Sequence, residues 1–124
     1  MRKPDPTLTP QELALMKVIW RRGTATVREV YEEVRETRPV AYTTIMTMMN
    51  ILVAKGYLRT DKQDRAFRYR PARAEQAVVT SMVREFVNRV FDGASRPLLL
   101  HLARDRKLSA RERAELLRLI KESR

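Results

Sequence analysis

Apolar residues recur three and four positions apart through the first part of the chain, a spacing that predicts amphipathic helices. Three helices are expected there. The first begins after Thr9 and ends at Gly23, the second lies between Thr26 and Pro39, and the third runs roughly over residues 42–55. Each of the two threonines is followed three residues later by glutamate, which is the pattern of a capping box.

The apolar period changes beyond Gly56. Residues 58–61 and 67–70 alternate apolar or β-branched side chains with charged ones, which predicts two short strands. Polar residues 62–65 join them as a turn, and Pro71 ends the second strand because proline cannot donate to a strand ladder. A β-hairpin is therefore expected directly after the third helix.

Helical spacing returns at about Ala74 and continues to the end of the chain. A long apolar stripe from Val79 to Phe91 ends at Gly93. Ser95 is expected to cap a short helix, and a third capping box at Ser109 opens the last one.

Three helices followed by a hairpin is the element order of a winged helix-turn-helix. The chain is expected to be mostly α with a small β-hairpin. Residues 1–71 would form a winged helix-turn-helix DNA-binding domain, and residues 72–124 a helical dimerisation region.

The charge of the chain favours a polyanionic partner. Its formal net charge is +11, and residues 55–73 hold seven lysines and arginines against two aspartates. Nucleic acid is the commonest partner for a strongly positive electrostatic field, an acidic membrane surface is the second, and a solvated basic surface is the alternative to both.

The composition of the chain also bears on its location. The 124 residues include no cysteine, no signal-peptide pattern and no apolar run of about 20 residues, so a cytoplasmic protein is expected.

The face of the third helix opposite its apolar stripe suits a DNA groove. At about 100° per residue, short polar side chains lie opposite Ile45, and none of them is a carboxylate. Hydroxyl and amide groups both donate and accept hydrogen bonds, as base edges in the major groove require. An ordinary polar helix surface is the alternative, although such surfaces usually carry lysine and glutamate. The helix residues predicted to contact DNA are Tyr42, Thr43, Thr44, Met46, Thr47 and Asn50. For Tyr42 the expected contact is to phosphate through its hydroxyl, and a packed aromatic ring is the equal alternative.

Basic residues of the hairpin are predicted to contact phosphate. Lys62, Arg65 and Arg68 are the main candidates, with Arg70 as a further one. Such contacts set affinity and its salt dependence rather than the choice of sequence. For Arg65, at the turn, the alternative is insertion into the minor groove.

The C-terminal helices are too short to bury a secure core by themselves. A second copy is the simplest partner, and a two-fold dimer would match a palindromic operator. The alternative is that these helices fold back on their own winged domain. The predicted dimer-interface residues are Met82, Val83, Phe86, Val90, Phe91, Leu98, Leu99, Leu102, Leu116, Leu117 and Ile120.

The sequence argues against an enzyme and predicts neither a cofactor nor a metal. It has no cysteine, no glycine-rich phosphate loop, and a single histidine, His101, which makes no metal site alone. Two other classes of DNA-binding protein stay open. One is a ligand-responsive winged-helix regulator, and the other is a sequence-blind DNA-packing protein.

Several stretches taken together resemble the penicillinase-repressor family, the BlaI/MecI group of winged-helix repressors. They are residues 8–13, 19–20, 41–49, 55–58, 65–71, 91–94 and 98–102. The run YTTIMT and the run RAFRY are specific in combination. The resemblance implies a cytoplasmic dimer that represses promoters of antibiotic-resistance or stress operons. It also implies that Thr43, Thr44, Met46 and Thr47 lie at the bases.

The resemblance further implies inactivation by cleavage in the C-terminal region, triggered by a membrane sensor protease. The family's Asn-Phe cleavage position matches His101-Leu102, so this chain departs from the family pattern at that bond. The copper-responsive branch of the family binds metal through cysteines. This chain has none, so that chemistry does not carry over.

Overall fold

The computed structural model describes residues 7–63 and 66–122, which form six helices and one two-stranded antiparallel sheet. The elements in chain order are α1 (Pro10–Arg22), α2 (Val27–Val34), α3 (Tyr42–Ala54), β1 (Leu58–Gln63), β2 (Ala66–Pro71), α4 (Glu75–Phe91), α5 (Ser95–Ala103) and α6 (Ala110–Glu122). This order confirms the predicted fold class, mostly α with a small hairpin.

Contacts within the chain divide it into two compact units, residues 1–78 and 79–124, with the boundary inside α4. The first unit contains α1–α3 and the hairpin, and the second contains α5 and α6. None of the helices in the described parts of the chain combines the length and the apolarity needed to cross a bilayer.

Local hydrogen bonds explain where α1 and α2 begin. The hydroxyl of Thr9 accepts from the backbone N–H of Glu12, whose carboxylate accepts from the backbone N–H of Thr9. Thr26 and Glu29 repeat this exchange at α2. Gly23 ends α1 with a φ of +86°, a conformation that glycine adopts without steric cost. Both predicted capping boxes are therefore confirmed.

The end of α2 differs from the prediction. The helix stops at Val34 rather than continuing to Pro39. The side chain and the backbone N–H of Thr37 both donate to the carbonyl of Val34, at 3.0 and 3.1 Å. The backbone N–H of Arg38 also donates to this carbonyl, over 3.2 Å, so a turn at residues 35–37 satisfies the last carbonyl of α2.

Two other boundaries also differ from the prediction. Ser95 is the first residue of α5 rather than its cap, and Ala94 before it makes no side-chain cap bond. Lys62 and Gln63, predicted as turn, extend β1 instead, because both pair with β2 in the ladder. Residues 64 and 65, the shorter connection that this leaves, lie outside the described residues.

The core of the first unit lies among α1, α2 and α3, with the hairpin packed beside it. Its largest fully buried side chains are Leu15, Met16, Ile19, Val30, Ile45, Met49 and Leu52. The backbone groups of Ala25 and Tyr69 exchange hydrogen bonds of 2.8 and 2.9 Å, which join the hairpin to the connection between α1 and α2. The hairpin therefore has a fixed position beside the helices.

In the second unit, α5 and α6 pack against each other and bury Ala103 and Ile120. The guanidinium of Arg113 donates to the carbonyls of Ala103 and Asp105, at 2.9 and 2.6 Å, and so closes the end of α5. The capping box predicted at Ser109 is present at the start of α6.

Candidate nucleic-acid interface

The outward face of α3 is exposed, as its periodicity predicted. Ile45, Met49 and Leu52 on the opposite side are fully buried, so the helix cannot rotate without opening the core. Two large apolar side chains on the outward face, Met46 and Ile51, are 39% and 40% exposed. The other exposed residues of this face are Thr43, Thr44, Thr47, Asn50 and Ala54. Contact of these side chains with DNA stays a prediction.

The first turn of α3 is suited to an anionic partner. Its cap residue, Ala41, makes no side-chain cap bond, and the turn contains no acidic residue. Its N-terminal N–H groups and the positive end of the helix dipole therefore have no side-chain carboxylate to offset them. The ring of Tyr42 packs edge-on against Tyr31 with centroids 5.5 Å apart, and the guanidinium of Arg28 lies 5.5 Å from the Tyr42 centroid.

Asn50 is linked to the hairpin by a hydrogen bond that the sequence did not indicate. The hydroxyl of Tyr69 on β2 donates to Oδ1 of Asn50 over 3.1 Å. Tyr69 is only 6% exposed, whereas Asn50 is exposed. Burial, and to a smaller extent the nearby Tyr42, raises the pKa of Tyr69 above its ordinary value, so the phenol is neutral.

The predicted cations of the hairpin have different surroundings. Lys62 is exposed on β1, opposite Phe67, whose ring is also exposed. Arg70 forms an ion pair of 3.1 Å with Asp61 on the neighbouring strand. Arg65 lies outside the described residues, so its predicted contact with phosphate or the minor groove stays a prediction.

Arg68 is engaged within the fold. Its Nε and Nη2 lie 3.3 and 3.2 Å from the hydroxyl of Thr24, and Nη2 also donates to Glu29 over 3.1 Å. The backbone N–H of Thr26 lowers the pKa of Glu29 most, and the charges of Arg68 and Arg22 add to this against the opposing effect of burial. Arg68 thus connects β2 to the start of α2, a role that the sequence did not predict.

A third long-range contact connects the end of α3 to the start of α1. Nζ of Lys55 lies 2.8 Å from Oε1 of Glu12 and 3.1 Å from the backbone carbonyl of Thr7. Burial by itself raises the pKa of Glu12, but the hydrogen bonds from Lys55 and Thr9 and the Lys55 charge outweigh it, so the net shift is downward. The pair restrains the C-terminal end of the outward-facing helix.

The chain that leaves the hairpin is anchored as well. The indole N–H of Trp20 on α1 donates to the backbone carbonyl of Arg73 over 2.9 Å. The guanidinium of Arg73 lies 4.9 Å from the ring centroid of Tyr57. These contacts hold the segment between β2 and α4 against α1.

Most predicted dimer-interface residues have accessible side chains. The exposed ones are Val83, Phe86, Val90, Leu102 and Leu117, and the half-buried ones are Met82, Phe91, Leu98, Leu99 and Leu116. The rings of Phe86 and Phe91 pack edge-to-face with centroids 6.0 Å apart. Ile120 is only 6% exposed within the single chain, so it packs inside its own unit instead of presenting a surface.

The cleavage position that the family resemblance implies lies in α5. His101 and Leu102 are both exposed in its last turn, next to the buried Ala103. Over the described ranges, no three His, Cys, Asp or Glu side chains come close enough to hold a metal ion.

The matching family model and the relatives most similar in sequence agree on one family. The family model for the penicillinase repressor matches residues 8–122. The penicillinase repressor of Bacillus licheniformis is 32% identical over 97% of this chain and 94% of its own length. The methicillin resistance regulatory protein MecI of Mammaliicoccus sciuri is 27% identical, over 88% of this chain and 89% of its own.

A solved structure also matches part of the chain. It is the solution structure of monomeric Bacillus licheniformis BlaI in complex with the blaP half-operator. The match has a TM-score of 0.52 and 36% identity, and it covers 60% of this chain and 92% of the other. Because the family model spans nearly the whole sequence and the fold agrees with it, this chain belongs to the penicillinase repressor family.

Proposed function

We propose that this chain is a transcriptional repressor that binds a palindromic DNA operator as a homodimer in the cytoplasm. The proposal rests chiefly on the outward face of α3, where exposed hydroxyl and amide groups lie directly opposite the buried core. Two relatives support it, the penicillinase repressor and the BlaI structure with a half-operator. Their names point to operons of β-lactam resistance or related stress responses as the regulated genes.

The geometry suits insertion of α3 into the major groove. A helix fits the width of that groove, and its short side chains can approach the edges of the bases. Thr43, Thr44 and Thr47 offer hydroxyls that donate or accept, and Met46 offers an apolar contact for a thymine methyl group. No acidic side chain on this face repels phosphate.

Cations around α3 would provide affinity without sequence choice. Lys62 on β1 and Arg28 beside Tyr42 are the proposed phosphate contacts, and Arg65 is a further candidate from the sequence alone. The net charge of +11 speeds the encounter with DNA and makes affinity fall steeply with salt.

Dimerisation through the exposed apolar side chains of α4 would place two copies of α3 on one duplex. Two copies of α3 that lie one turn of the DNA double helix apart match the two halves of an inverted repeat. If a membrane sensor protease inactivates this repressor, His101-Leu102 is the position that the family resemblance indicates.

Selection from a duplex library tests the proposal. The full chain is mixed with duplexes that have 30 randomised base pairs, and the bound fraction is sequenced. We expect an enriched inverted repeat, bound roughly 10³-fold or more tightly than random duplex at physiological salt. Equal affinity for all duplexes would contradict the proposal and favour the sequence-blind DNA-packing alternative.

A further inference from the structure

We propose that Tyr69 fixes the side-chain amide of Asn50 with its NH₂ group toward the groove, so that Asn50 reads guanine or thymine rather than adenine. Tyr69 is the positioning residue, and Asn50 is the residue that determines specificity. The inference rests on the proposed function, because it assumes that α3 lies in the major groove.

Tyr69 provides a fixed point for the amide. Its side chain is buried, and its backbone exchanges two hydrogen bonds with Ala25 in the connection between α1 and α2. The phenol oxygen therefore has a position set by the core rather than by a mobile loop. Asn50 lies on the exposed face of α3, and its Oδ1 is 3.1 Å from that oxygen.

The proton of the phenol decides which way the amide points. A neutral, buried hydroxyl needs an acceptor, and among the described residues that acceptor is Oδ1 of Asn50. The flipped amide would place NH₂ against the hydroxyl and leave the phenol proton without this acceptor. In the flipped state the phenol oxygen accepts from the NH₂ group but its own proton loses this acceptor, which is costly for a largely buried side chain, so the Oδ1-inward orientation is favoured.

This orientation limits which bases Asn50 can recognise. A free asparagine reads adenine with both ends of its amide, donating to N7 and accepting from the N6 amino group. With Oδ1 turned toward Tyr69, the outward group of Asn50 can only donate. It can donate to N7 and O6 of guanine, to O4 of thymine or to N7 of adenine, but only guanine offers two acceptors, and at adenine the neighbouring N6 amino group is left without an acceptor. Guanine and thymine are therefore favoured over adenine.

The test compares base preferences selected from the same randomised duplex library. The variants are Tyr69→Phe, which removes the hydroxyl and keeps the ring, and Asn50→Ala, which removes the amide. Tyr31→Phe is the matched control, because it deletes a tyrosine hydroxyl in the same unit without touching Asn50. Thermal unfolding of each variant verifies that it is folded.

In the native chain we expect one position of each half-site to favour guanine or thymine over adenine. Asn50→Ala should erase the preference at that position alone. Tyr69→Phe should raise the adenine share there by about fivefold, since a freed amide can pair with adenine through both ends. The double variant should match Asn50→Ala, and Tyr31→Phe should match the native profile.

The results that would overturn this inference differ from the result that would overturn the proposed function. A native chain that enriches no sequence contradicts the proposed function itself. A native motif that Tyr69→Phe leaves unchanged contradicts the positioning role. If Asn50→Ala weakens binding to all duplexes equally, Asn50 contacts phosphate and reads no base.

A second variant keeps the inference testable if Tyr69→Phe does not fold. Asn50→Asp presents only oxygen atoms, so it can accept from Tyr69 but has no donor for the groove. We expect the guanine or thymine preference to be replaced by bases with amino groups, cytosine or adenine. Retention of the original preference would overturn the inference.

Discussion

At the scale of single residues, the pair of Lys55 and Glu12 shows how one contact positions a whole helix. Glu12 is buried and already accepts the backbone N–H of Thr9. Lys55, just after α3, supplies the charge that this carboxylate needs and also reaches the carbonyl of Thr7. The cap of α1 and the end of α3 are thereby coupled.

Replacing Lys55 with methionine should lower the free energy of unfolding by about 2–3 kcal/mol at pH 7, because it leaves a buried carboxylate without its cation. Urea unfolding measures this loss. Lys17→Met, an exposed lysine on α1, is the control and should change stability little.

The pH dependence of stability checks the same pair. The pKa of Glu12 is lower in the folded state than its ordinary value of 4.5. Its stabilisation is therefore complete above that value and disappears as the pH falls through the folded pKa. We expect Glu12→Gln to lose less stability than the native chain between pH 6 and about pH 3. Parallel curves for the two proteins would contradict the assignment.

Thr47 provides the residue-scale test of base reading. Its exposure on the outward face of α3 predicts that Thr47→Ala lowers discrimination between the selected operator and random duplex by about 1–3 kcal/mol. Thr80→Ala, an exposed threonine on α4, serves as the control. Titrations at one fixed salt concentration measure the ratio, and an unchanged ratio for Thr47→Ala would reject its role.

At the scale of elements, the hairpin depends on Arg68 for its attachment to α2. Arg68→Met removes the contacts to Thr24 and Glu29, so we expect a loss of about 1 kcal/mol and faster amide exchange in β1 and β2. Arg59→Met removes an equal charge from an exposed site of the hairpin and should leave exchange unchanged.

The salt dependence of DNA binding separates two roles of Arg68. A residue that contacts phosphate reduces the slope of log affinity against log salt by about 1 when it is removed. A residue that only holds the hairpin leaves the slope near its native value. We expect the second result for Arg68→Met, and a slope reduced by a full unit would argue for phosphate contact instead.

Element boundaries agreed with the sequence wherever a capping box defined them. The capping boxes at Thr9, Thr26 and Ser109 are all present. The early end of α2 was missed because the turn that closes the helix includes a bond from the Thr37 hydroxyl to the carbonyl of Val34, and such a side-chain contact has no periodicity.

At the scale of the whole molecule, the exposed apolar side chains of α4 carry the prediction of a dimer. Phe86→Glu should give a monomer in sedimentation experiments and weaken operator binding, because only one reading helix then engages the duplex. Ser81→Glu, at an exposed polar position of the same helix, should remain dimeric. A folded Phe86→Glu dimer would contradict this interface.

The sequence by itself determined the elements, their caps and the two faces of α3. These features depend on residues within about four positions of one another, whose relative placement follows directly from helix or strand geometry. The exposed threonines and the buried Ile45 could therefore be assigned without coordinates.

Only the tertiary structure decided which polar atoms meet across the fold. Asn50 and Tyr69 are separated by 19 residues, Lys55 and Glu12 by 43, and Arg68 and Thr24 by 44. A hydrogen bond requires particular atoms at a particular distance and angle, and only packing of the core brings such distant residues together. The direction of the Asn50 amide, and with it the base that Asn50 is proposed to read, is a property of the folded chain.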